Sequence, residues 1–209
     1  MSGLLIIGAG GHGKVVADTA LLLGWKNVAF LDDRAATLGS PLGLAILGTL
    51  GDLTAQARAF SCAIAAIGDA KLRLELTDRC RRSGLEVVSL VHPMAFVSKF
   101  ASIGPGSVAF AQSAVNVDVR IGAACIVNTG ATVDHDCLIG DGVHICPGAH
   151  LAGDVRVGDR SWVGIAATIR QGITIGRDAT VGAGAVVVAD VADGSTVVGV
   201  PAKDRSGSP

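Results

Sequence analysis

Tyrosine is absent from this 209-residue sequence, and aromatic residues make up only 3% of it. Aromatic side chains usually supply much of the buried area of a helix-rich core. Half of the residues are nevertheless hydrophobic, so valine, isoleucine, leucine and alanine must fill the interior. A chain of this length has room for one ordinary domain or two small ones. The composition therefore favours a core of aliphatic side chains over the aromatic-rich core of a helix-rich enzyme.

An excess of charge and any long apolar segment are missing as well. The formal net charge of −1 gives no basic field of the kind that attracts nucleic acid. No apolar segment approaches the ~20 residues that cross a bilayer. The first apolar segment also lacks the charged start and the cleavage pattern of a signal peptide. We therefore expect a cytoplasmic protein with no nucleic-acid partner and no membrane insertion.

Paired cysteines are the third absence. The five cysteines are odd in number and include no C-x-x-C pair, so neither a disulfide framework nor a zinc site is predicted. We expect no metal site, and we interpret the cysteines as small core residues. No Ser-His-Asp or reactive-cysteine motif suggests a covalent acyl-enzyme.

Residues 1–92 alternate apolar segments with helix-like segments, a pattern typical of a small parallel sheet with crossover helices. The predicted elements are five strands and two helices. In chain order they are Leu4–Ile7, helix Lys14–Leu23, Val28–Leu31, Ala45–Leu47, Ala63–Ile67, helix Ala70–Ser83 and Glu86–Leu90. We expect a Rossmann-like βαβ domain.

The turn after the first predicted strand reads GAGGHGK from Gly8 to Lys14, which is the G-x-G-x-x-G of a dinucleotide-binding turn. Asp32 and Asp33 follow about 20 positions later, where a dinucleotide fold places the acidic residue for its ribose. However, only five short strands are predicted, and no second half completes a dinucleotide fold. We therefore do not expect NAD. The glycines and the N–H groups of the next helix suit the diphosphate of a nucleotide sugar instead.

Residues 93–209 follow a period of six. Counting in sixes from Val97 to Val187 meets no polar residue, and glycine often comes next, as in Ile121-Gly122 and Ile139-Gly140. This period is the signature of a parallel β-helix, in which three six-residue sides make a coil of about 18 residues. The predicted fold class is thus α/β plus β-solenoid, with a run of about five coils.

Stacking of the coils places residues 18 apart in the sequence one strand spacing, ~4.8 Å, above each other. The rule puts Gly153 above His135, where the missing side chain would leave space for a ligand. It also stacks Asp118, Asp136 and Asp154 in one column. Such a column either raises the pKa of at least one carboxyl or consists of turn residues that face water.

The chain resembles the bacterial sugar acyltransferases of the sialic-acid O-acetyltransferase type, especially those that N-acetylate nucleotide-linked 4-amino-4-deoxy sugars of the bacillosamine and perosamine type. The segments that carry the resemblance are GAGGHGKVV (8–16), FLDD (30–33), AIGD (66–69), LVHP (90–93), NTGATVDHDC (128–137) and VGVPAK (198–203). The resemblance implies a left-handed β-helix and a homotrimer with active sites at subunit interfaces. It also implies acetyl-CoA as cosubstrate and a nucleotide sugar held by the N-terminal domain.

The resemblance also implies roles for individual residues. His135 matches the general base, and Asp136 matches the acidic residue that holds it. The family can have Glu at that position, so whether the shorter Asp136 contacts His135 is open at this point. His144 matches the residue that contacts the acetyl carbonyl or thioester. The pantetheine arm would lie along Gly153, Ile165 and Ala183, the last standing where the family can have Gly. The acceptor would meet Gly11, His12, Gly13, Asp32, Asp33 and Gly68.

The spacing of two histidines adds an argument of its own. His135 and His144 are nine residues apart, half of an 18-residue coil, so within one chain they lie on different sides. We therefore hypothesise that each active site joins His135 of one subunit to His144 of a neighbour. The expected function is N-acetylation of a nucleotide-linked amino sugar by direct attack of the amine on the thioester. The alternatives are O-acetylation of sialic acid or a related sugar, and a non-catalytic partner of a sugar-biosynthetic enzyme.

Overall fold

The computed structural model describes residues 3–205. They form two compact units, whose boundary in the sequence lies between Pro93 and Met94. The first unit contains strands β1 Leu4–Ile7, β2 Val28–Leu31, β3 Cys62–Ala65, β4 Glu86–Val87 and β5 Leu90–Val91, and helices α1 Gly11–Leu22, α2 Ala35–Leu38, α3 Leu53–Gln56 and α4 Ala70–Arg82. Single 3₁₀ turns span Pro41–Gly43 and Leu50–Asp52. Within residues 3–205, no helix has the length and apolar character needed to span a bilayer.

Four of these strands form a parallel sheet in the order β2-β1-β3-β4. Leu4 pairs with Val28 on one side and with Cys62 on the other. Because β1, β2 and β3 are buried along their whole length, they consist of uninterrupted apolar residues, as strands covered on both faces do. The carboxyl ends of β1, β2 and β3 lead into the segments that contain Gly11, Asp32 and Gly68.

The predicted elements of this unit are confirmed with shifts at their ends. The first helix begins at Gly11, not Lys14, because packing of the glycine turn overrides the low helix propensity of glycine. The predicted strand Ala45–Leu47 is wrong: it makes only an isolated bridge, between Ile46 and Phe30. The predicted strand Glu86–Leu90 divides into β4 and β5.

The second unit is a parallel β-solenoid. Its strands are β6 Phe96–Val97, β7 Ser102–Ile103, β8 Val108–Ala109, β9 Ala114–Val115, β10 Arg120–Ile121, β11 Ile126–Val127, β12 Thr132–Val133, β13 Leu138–Ile139, β14 His144–Ile145, β15 His150–Leu151, β16 Arg156–Val157, β17 Trp162–Val163, β18 Thr168–Ile169, β19 Thr174–Ile175, β20 Thr180–Val181, β21 Val186–Val187, β22 Thr196–Val198 and β23 Lys203–Asp204.

Successive strands fall on three faces. Face I contains β6, β9, β12, β15, β18 and β21; face II contains β7, β10, β13, β16 and β19; face III contains β8, β11, β14, β17, β20 and β22. At the end of the face III sheet, β23 pairs with β22 in the antiparallel direction. Three corners connect them, which we name I–II, II–III and III–I in chain order.

The pairing between coils has a strict register. Arg120 pairs with Leu138, Ile126 with His144 and Thr132 with His150, always 18 residues apart. The last coil is shorter, because Thr180 pairs with Thr196, only 16 positions on. The six-residue count therefore stops at Val187, and the solenoid has about six coils rather than the predicted five.

The core of the solenoid contains the second residue of each parallel strand, together with buried corner residues such as Cys137 and Cys146. These side chains are buried from Ala109 onward, whereas Val97 and Ile103 in the first coil are half-buried. All five cysteines of the chain are buried and unbridged. Burial raises the pKa of Cys137 to about 11 and that of Cys146 to about 12, so neither is a thiolate near neutral pH. The interpretation of the cysteines as core residues is confirmed.

At the II–III corner, glycine is required by the next coil. A Cβ on Gly104 would lie 2.8 Å from the Ala123 nitrogen, and one on Gly140 would lie 2.7 Å from the Asp159 nitrogen. Carboxylates complete this corner: Asp141 Oδ1 accepts from Ala123 N at 2.7 Å, and Asp159 Oδ1 accepts from Asp141 N at 3.0 Å. The glycines that follow the six-spaced residues here thus serve coil packing.

Candidate active site

The glycine turn of the first unit combines packing glycines with open ones. Gly8 has a φ of +112°, and a Cβ on it would lie 2.8 Å from the Ala66 carbonyl oxygen. Gly13 is buried, and its Cβ would collide with the Gly8 carbonyl oxygen. By contrast, a Cβ on Gly11 or Gly68 would meet nothing within 4 Å. Of the predicted acceptor-contacting glycines, Gly11 and Gly68 thus face open space, while Gly13 has a packing role that the sequence interpretation did not include.

The two acidic residues after β2 are held by the chain itself. Asp32 is only 6% exposed, and its Oδ2 accepts a hydrogen bond from Ala9 N at 2.8 Å. The Arg34 guanidinium contacts both oxygens of Asp32, through Nε and Nη2, each at 3.1 Å. Asp33 is exposed, and its Oδ1 accepts from Leu50 N at 2.9 Å. Both oxygens of Asp32 therefore already accept hydrogen bonds from the chain itself.

His12 lies beside a buried arginine that the sequence analysis did not single out. Burial and the charge of Arg73 lower the pKa of His12 to about 4, so its imidazole is neutral near pH 7. Arg73 is 1% exposed, and its Nη1 donates to the carbonyl oxygens of Ile67 and Gly68 at 2.8 Å each. Arg73 thereby fixes the loop after β3, which borders the predicted acceptor site.

The proposed general base lies at the I–II corner, directly after β12. His135 Nδ1 and Asp136 Oδ2 are 2.8 Å apart, which answers the question that the shorter side chain left open. A carboxylate only accepts hydrogen bonds, so Nδ1 carries the proton and the lone pair of Nε2 is left for a substrate. The backbone is fixed by Asp134 Oδ1, which accepts from His135 N and from Asn116 Nδ2 at 2.9 Å each.

Charge around His135 favours its protonated form. The hydrogen bond to Asp136 is the main cause that raises the pKa of His135. Partial desolvation opposes this shift, while the charges of Asp134, Asp136 and Asp154 add to it. The three stacked aspartates are also turn residues: the φ angles of Asp118, Asp136 and Asp154 lie between 56° and 61°. Asp154 lies 3.7 Å from Arg156 Nη2.

Gly153 lies directly against the His135 ring, as the 18-residue rule predicts. A Cβ on Gly153 would be 2.6 Å from His135 Nε2 and would also collide with Cε1. The space left by the missing side chain is therefore occupied by the imidazole itself. The register that stacks the coils thus also fixes the position of the His135 ring.

His144 is part of a second cluster, on face III. Its Nε2 lies 3.0 Å from Asn128 Nδ2, and its ring meets Trp162 edge-on, with centroids 4.3 Å apart. Asn128 Oδ1 accepts from Thr129 N at 2.8 Å, which assigns Nδ2 as the donor to His144 and Nε2 as the acceptor. His144 in this arrangement is a neutral imidazole with its proton on Nδ1. Neither Asn128 nor Trp162 was found by motif, because a polar residue at a turn and an exposed tryptophan are common without function.

The predicted site residues of the β-solenoid fall into two groups. His135, Asp136 and Gly153 share the I–II corner, whereas His144 lies on face III and Ile165 and Ala183 follow strands of that face at the III–I corner. Ile165 and Ala183 are exposed, and the Ile165 carbonyl oxygen accepts from Gly184 N at 2.8 Å. The two groups thus lie on different sides of the solenoid.

Face II carries a groove of about 540 Å³, lined by Arg120, Leu138, Arg156, Thr174 and Arg177 among others. It does not include Ile165 or Ala183. Among residues 3–205, no group of three or more histidine, cysteine, aspartate or glutamate side chains is arranged to hold a metal ion.

Replacing Asp136 by Asn should shift the acid limb of the pH–rate profile to lower pH. His135 acts as a base only when it is deprotonated, and Asp136 raises its pKa, so activity should rise only above that raised pKa. Loss of the carboxylate lowers the pKa and also leaves the ring less well oriented, which lowers the plateau rate. The measurement is kcat/KM for the acceptor between pH 5 and 9.

Two matched variants control this prediction. Asp136→Glu keeps a carboxylate and should keep the limb near its wild-type position. Asp118→Asn removes the carboxylate 18 residues earlier in the same column and should leave the limb unchanged. A limb that stays in place in Asp136→Asn would show that Asp136 does not tune the base.

Replacing Gly153 by Ala should reduce kcat by about 10²- to 10⁴-fold, the range for loss of a general base. The added methyl group would displace the His135 ring, whereas the backbone of Gly153 lies outside the left-handed region. Single-turnover rates of Gly153→Ala, His135→Ala and the double variant test this. The double variant should be no slower than His135→Ala alone; multiplicative losses would mean that Gly153 acts elsewhere.

A coiled hexapeptide-repeat solenoid with a histidine–aspartate pair at one corner, joined to a small α/β unit with a glycine turn, defines the class of hexapeptide-repeat acyltransferases. Two family models match the chain. One is described as the PglD N-terminal domain and covers residues 3–80; the other is described as bacterial transferase hexapeptide (six repeats) and covers residues 154–189.

Solved structures extend the match to nearly the whole chain. The acetyltransferase domain of PglB from Neisseria gonorrhoeae, in complex with acetyl coenzyme A, is 45% identical, covers 97% of this chain and 98% of its own, and has a TM-score of 0.93. PerB from Caulobacter crescentus, in complex with CoA and GDP-perosamine, is 40% identical over 99% of this chain and 98% of its own, also with a TM-score of 0.93.

A curated relative, GDP-perosamine N-acetyltransferase from Escherichia coli O157:H7, is 34% identical over 40% of this chain. The alignment spans 38% of the length of that relative. The chain therefore belongs to the family of hexapeptide-repeat acetyltransferases with a PglD-type N-terminal domain, which includes PglB and PerB.

Proposed function

We propose that the chain is an acetyl-CoA-dependent N-acetyltransferase that acts on a nucleotide-linked 4-amino-4-deoxy sugar. The observation that carries the proposal is the His135–Asp136 pair, whose Nδ1–Oδ2 contact of 2.8 Å leaves Nε2 as a base at an exposed corner. Likeness to PerB, which was solved with CoA and GDP-perosamine, supports both the donor and the class of acceptor. The cysteines offer no covalent route, since all five are buried.

The chemistry needs a single displacement. The amine nitrogen of the acceptor attacks the thioester carbonyl carbon, the C–N bond forms and the C–S bond breaks. His135 Nε2 takes the proton that the amine loses, and the CoA thiolate leaves and is then protonated. Asp136 holds the Nδ1 proton throughout, so the imidazolium that forms is stabilised by a charge-assisted hydrogen bond.

His144, Gly153, Ile165 and Ala183 serve the donor in this proposal. His144 would contact the acetyl carbonyl or thioester of the donor, with its ring held by Asn128 and Trp162. The exposed corner with Ile165 and Ala183 would receive the pantetheine arm. In the first unit, the open positions Gly11 and Gly68, with His12, Gly13, Asp33 and Asp32, would form the acceptor site at the carboxyl ends of the parallel strands, where open α/β sheets bind ligands.

A panel of acceptors tests the function. Purified protein is incubated with acetyl-CoA and with GDP-, UDP- or dTDP-linked 4-amino sugars, or with a sialic acid, and free thiol is measured. At least one nucleotide-linked amino sugar should be acetylated, with the product mass increased by one acetyl group. Turnover of a sialic acid alone would favour the O-acetyltransferase alternative, and no turnover with any sugar would favour the non-catalytic alternative.

The two groups of site residues support the further proposal that the enzyme is a homotrimer with composite sites. His135 lies at the I–II corner and His144 on face III, so one chain supplies only half of a site. Neighbouring subunits related by threefold symmetry would bring the two halves together.

Mixed trimers of differently tagged His135→Ala and His144→Ala chains test this arrangement. Each homotrimeric variant should be impaired, whereas mixed trimers should regain activity because some interfaces carry both histidines. Mixed wild-type and double-variant trimers provide the reference for the recovered fraction. Well-formed mixed trimers without any recovery would show that both histidines act within one chain.

A further inference from the structure

Asp32 connects the glycine turn to an arginine that no sequence motif marks. Its Oδ2 accepts from Ala9 N at 2.8 Å, and its Oδ1 accepts from Arg34 N at 2.9 Å. The Arg34 side chain completes the contact with two further bonds of 3.1 Å each. One carboxylate therefore fixes both the first residues of the turn and the direction of a guanidinium group.

Arg34 lies beside the turn rather than pointing away from it. Its Nη2 is 3.3 Å from the position that a Cβ on Gly10 would take, and it is the one heavy atom that such a Cβ would meet within 4 Å. The Arg34 side chain is 61% exposed. Asp32 uses two of the five N–H donors of a guanidinium group, so the others are available to a ligand at the turn.

The electrostatics explain why an acidic residue stands at a site for an anion. Chiefly through the hydrogen bond from Arg34, the pKa of Asp32 falls to about 2, so the carboxylate is ionised at all working pH values. Alone it would repel a phosphate, but paired with Arg34 it is neutralised. Arg34 is always charged, and a planar guanidinium group binds phosphate oxygens through two parallel bonds.

We propose that Arg34 binds the diphosphate of the nucleotide-sugar acceptor and that Asp32 is its positioning residue. The proposal rests on the proposed function and names a contact within that acceptor site. Asp32 takes no part in ribose recognition; it aligns Arg34 beside Gly10 and Gly11, so that the guanidinium group and the turn hold the same anion. Arg34 contributes to binding of the acceptor before and during the reaction and takes no part in proton transfer.

Calorimetric titration of the full-length protein with nucleoside diphosphates and the matching nucleosides tests the proposal. GDP and guanosine, and UDP and uridine, are compared for wild type, Arg34→Ala, Arg34→Lys and Arg58→Ala. Arg34→Ala should weaken binding of the preferred diphosphate by about tenfold or more, the effect of one charge-assisted hydrogen bond, and should change binding of the nucleoside less than about twofold. Arg34→Lys should restore part of the loss, since it keeps the charge.

Arg58 is the matched control, because it is an exposed arginine of the same unit whose side chain makes no hydrogen bond within residues 3–205. Arg58→Ala should bind like wild type. In kinetics, Arg34→Ala should raise KM for the nucleotide sugar and leave KM for acetyl-CoA unchanged. Equal weakening of diphosphate and nucleoside would mean that Arg34 only supports the turn, and unchanged diphosphate binding would also overturn the proposal.

Two further comparisons keep the test decisive. If Arg34→Ala lowers the melting temperature too far for titration, Arg34→Gln, which keeps a donor for Asp32, gives the same comparison without the charge. If wild type acetylates a nucleotide sugar but Arg34 variants show no diphosphate-specific loss, only the role of Arg34 fails. If wild type neither acetylates a nucleotide sugar nor binds any diphosphate, the proposed function itself fails.

Discussion

The backbone register between coils is the constraint on which the second unit depends. Each strand contributes only two residues, so no strand is stable by itself, and each coil gains its hydrogen bonds and its buried side chains from the coils above and below. Because the pairing is fixed at 18 residues, as between Ile126 and His144, every side chain has a set neighbour in space. A one-residue slip would turn the buried Ile121 outward and the exposed Arg120 inward, at the cost of a buried charge.

The same register builds the site. His135 is not held by its own coil alone: its ring rests on Gly153, and the aspartate that holds its backbone is held in turn by Asn116, each one coil away. An exposed imidazole at a turn would otherwise sample several rotamers. Fixing one of them would then cost conformational entropy in the reaction. Here the orientation is set by the packing that stabilises the fold, and Asp136 then selects the tautomer that leaves Nε2 as the acceptor.

The period of six could be predicted from the sequence because it reflects one repeated physical requirement, an apolar residue at each inward position. The stacking of Gly153 on His135 follows from the same count. The His135–Asp136 contact was implied by the family resemblance but does not follow from the spacing, because neighbouring side chains in an extended strand point to opposite sides. The two meet where Asp136 adopts a left-handed turn, with a φ of 61°, and the Asp136 N–H donates to the Val117 carbonyl oxygen of the preceding coil.

In the first unit, the limits of prediction are of another kind. A glycine motif predicts where the backbone closely approaches another group. It does not predict whether that group is a ligand or another part of the protein. For Gly8 and Gly13 the neighbour is the protein itself, whereas Gly11 and Gly68 face open space. Asp32 likewise matches an acidic position whose usual partner is a ribose, yet its oxygens hold Ala9 and Arg34. The sequence marked the acidic residue but not its partner Arg34, because Arg34 stands two positions on in a turn that no spacing rule covers. This buried carboxylate binds the backbone on one side and a guanidinium group on the other, and such a pairing is visible only once the side chains are placed.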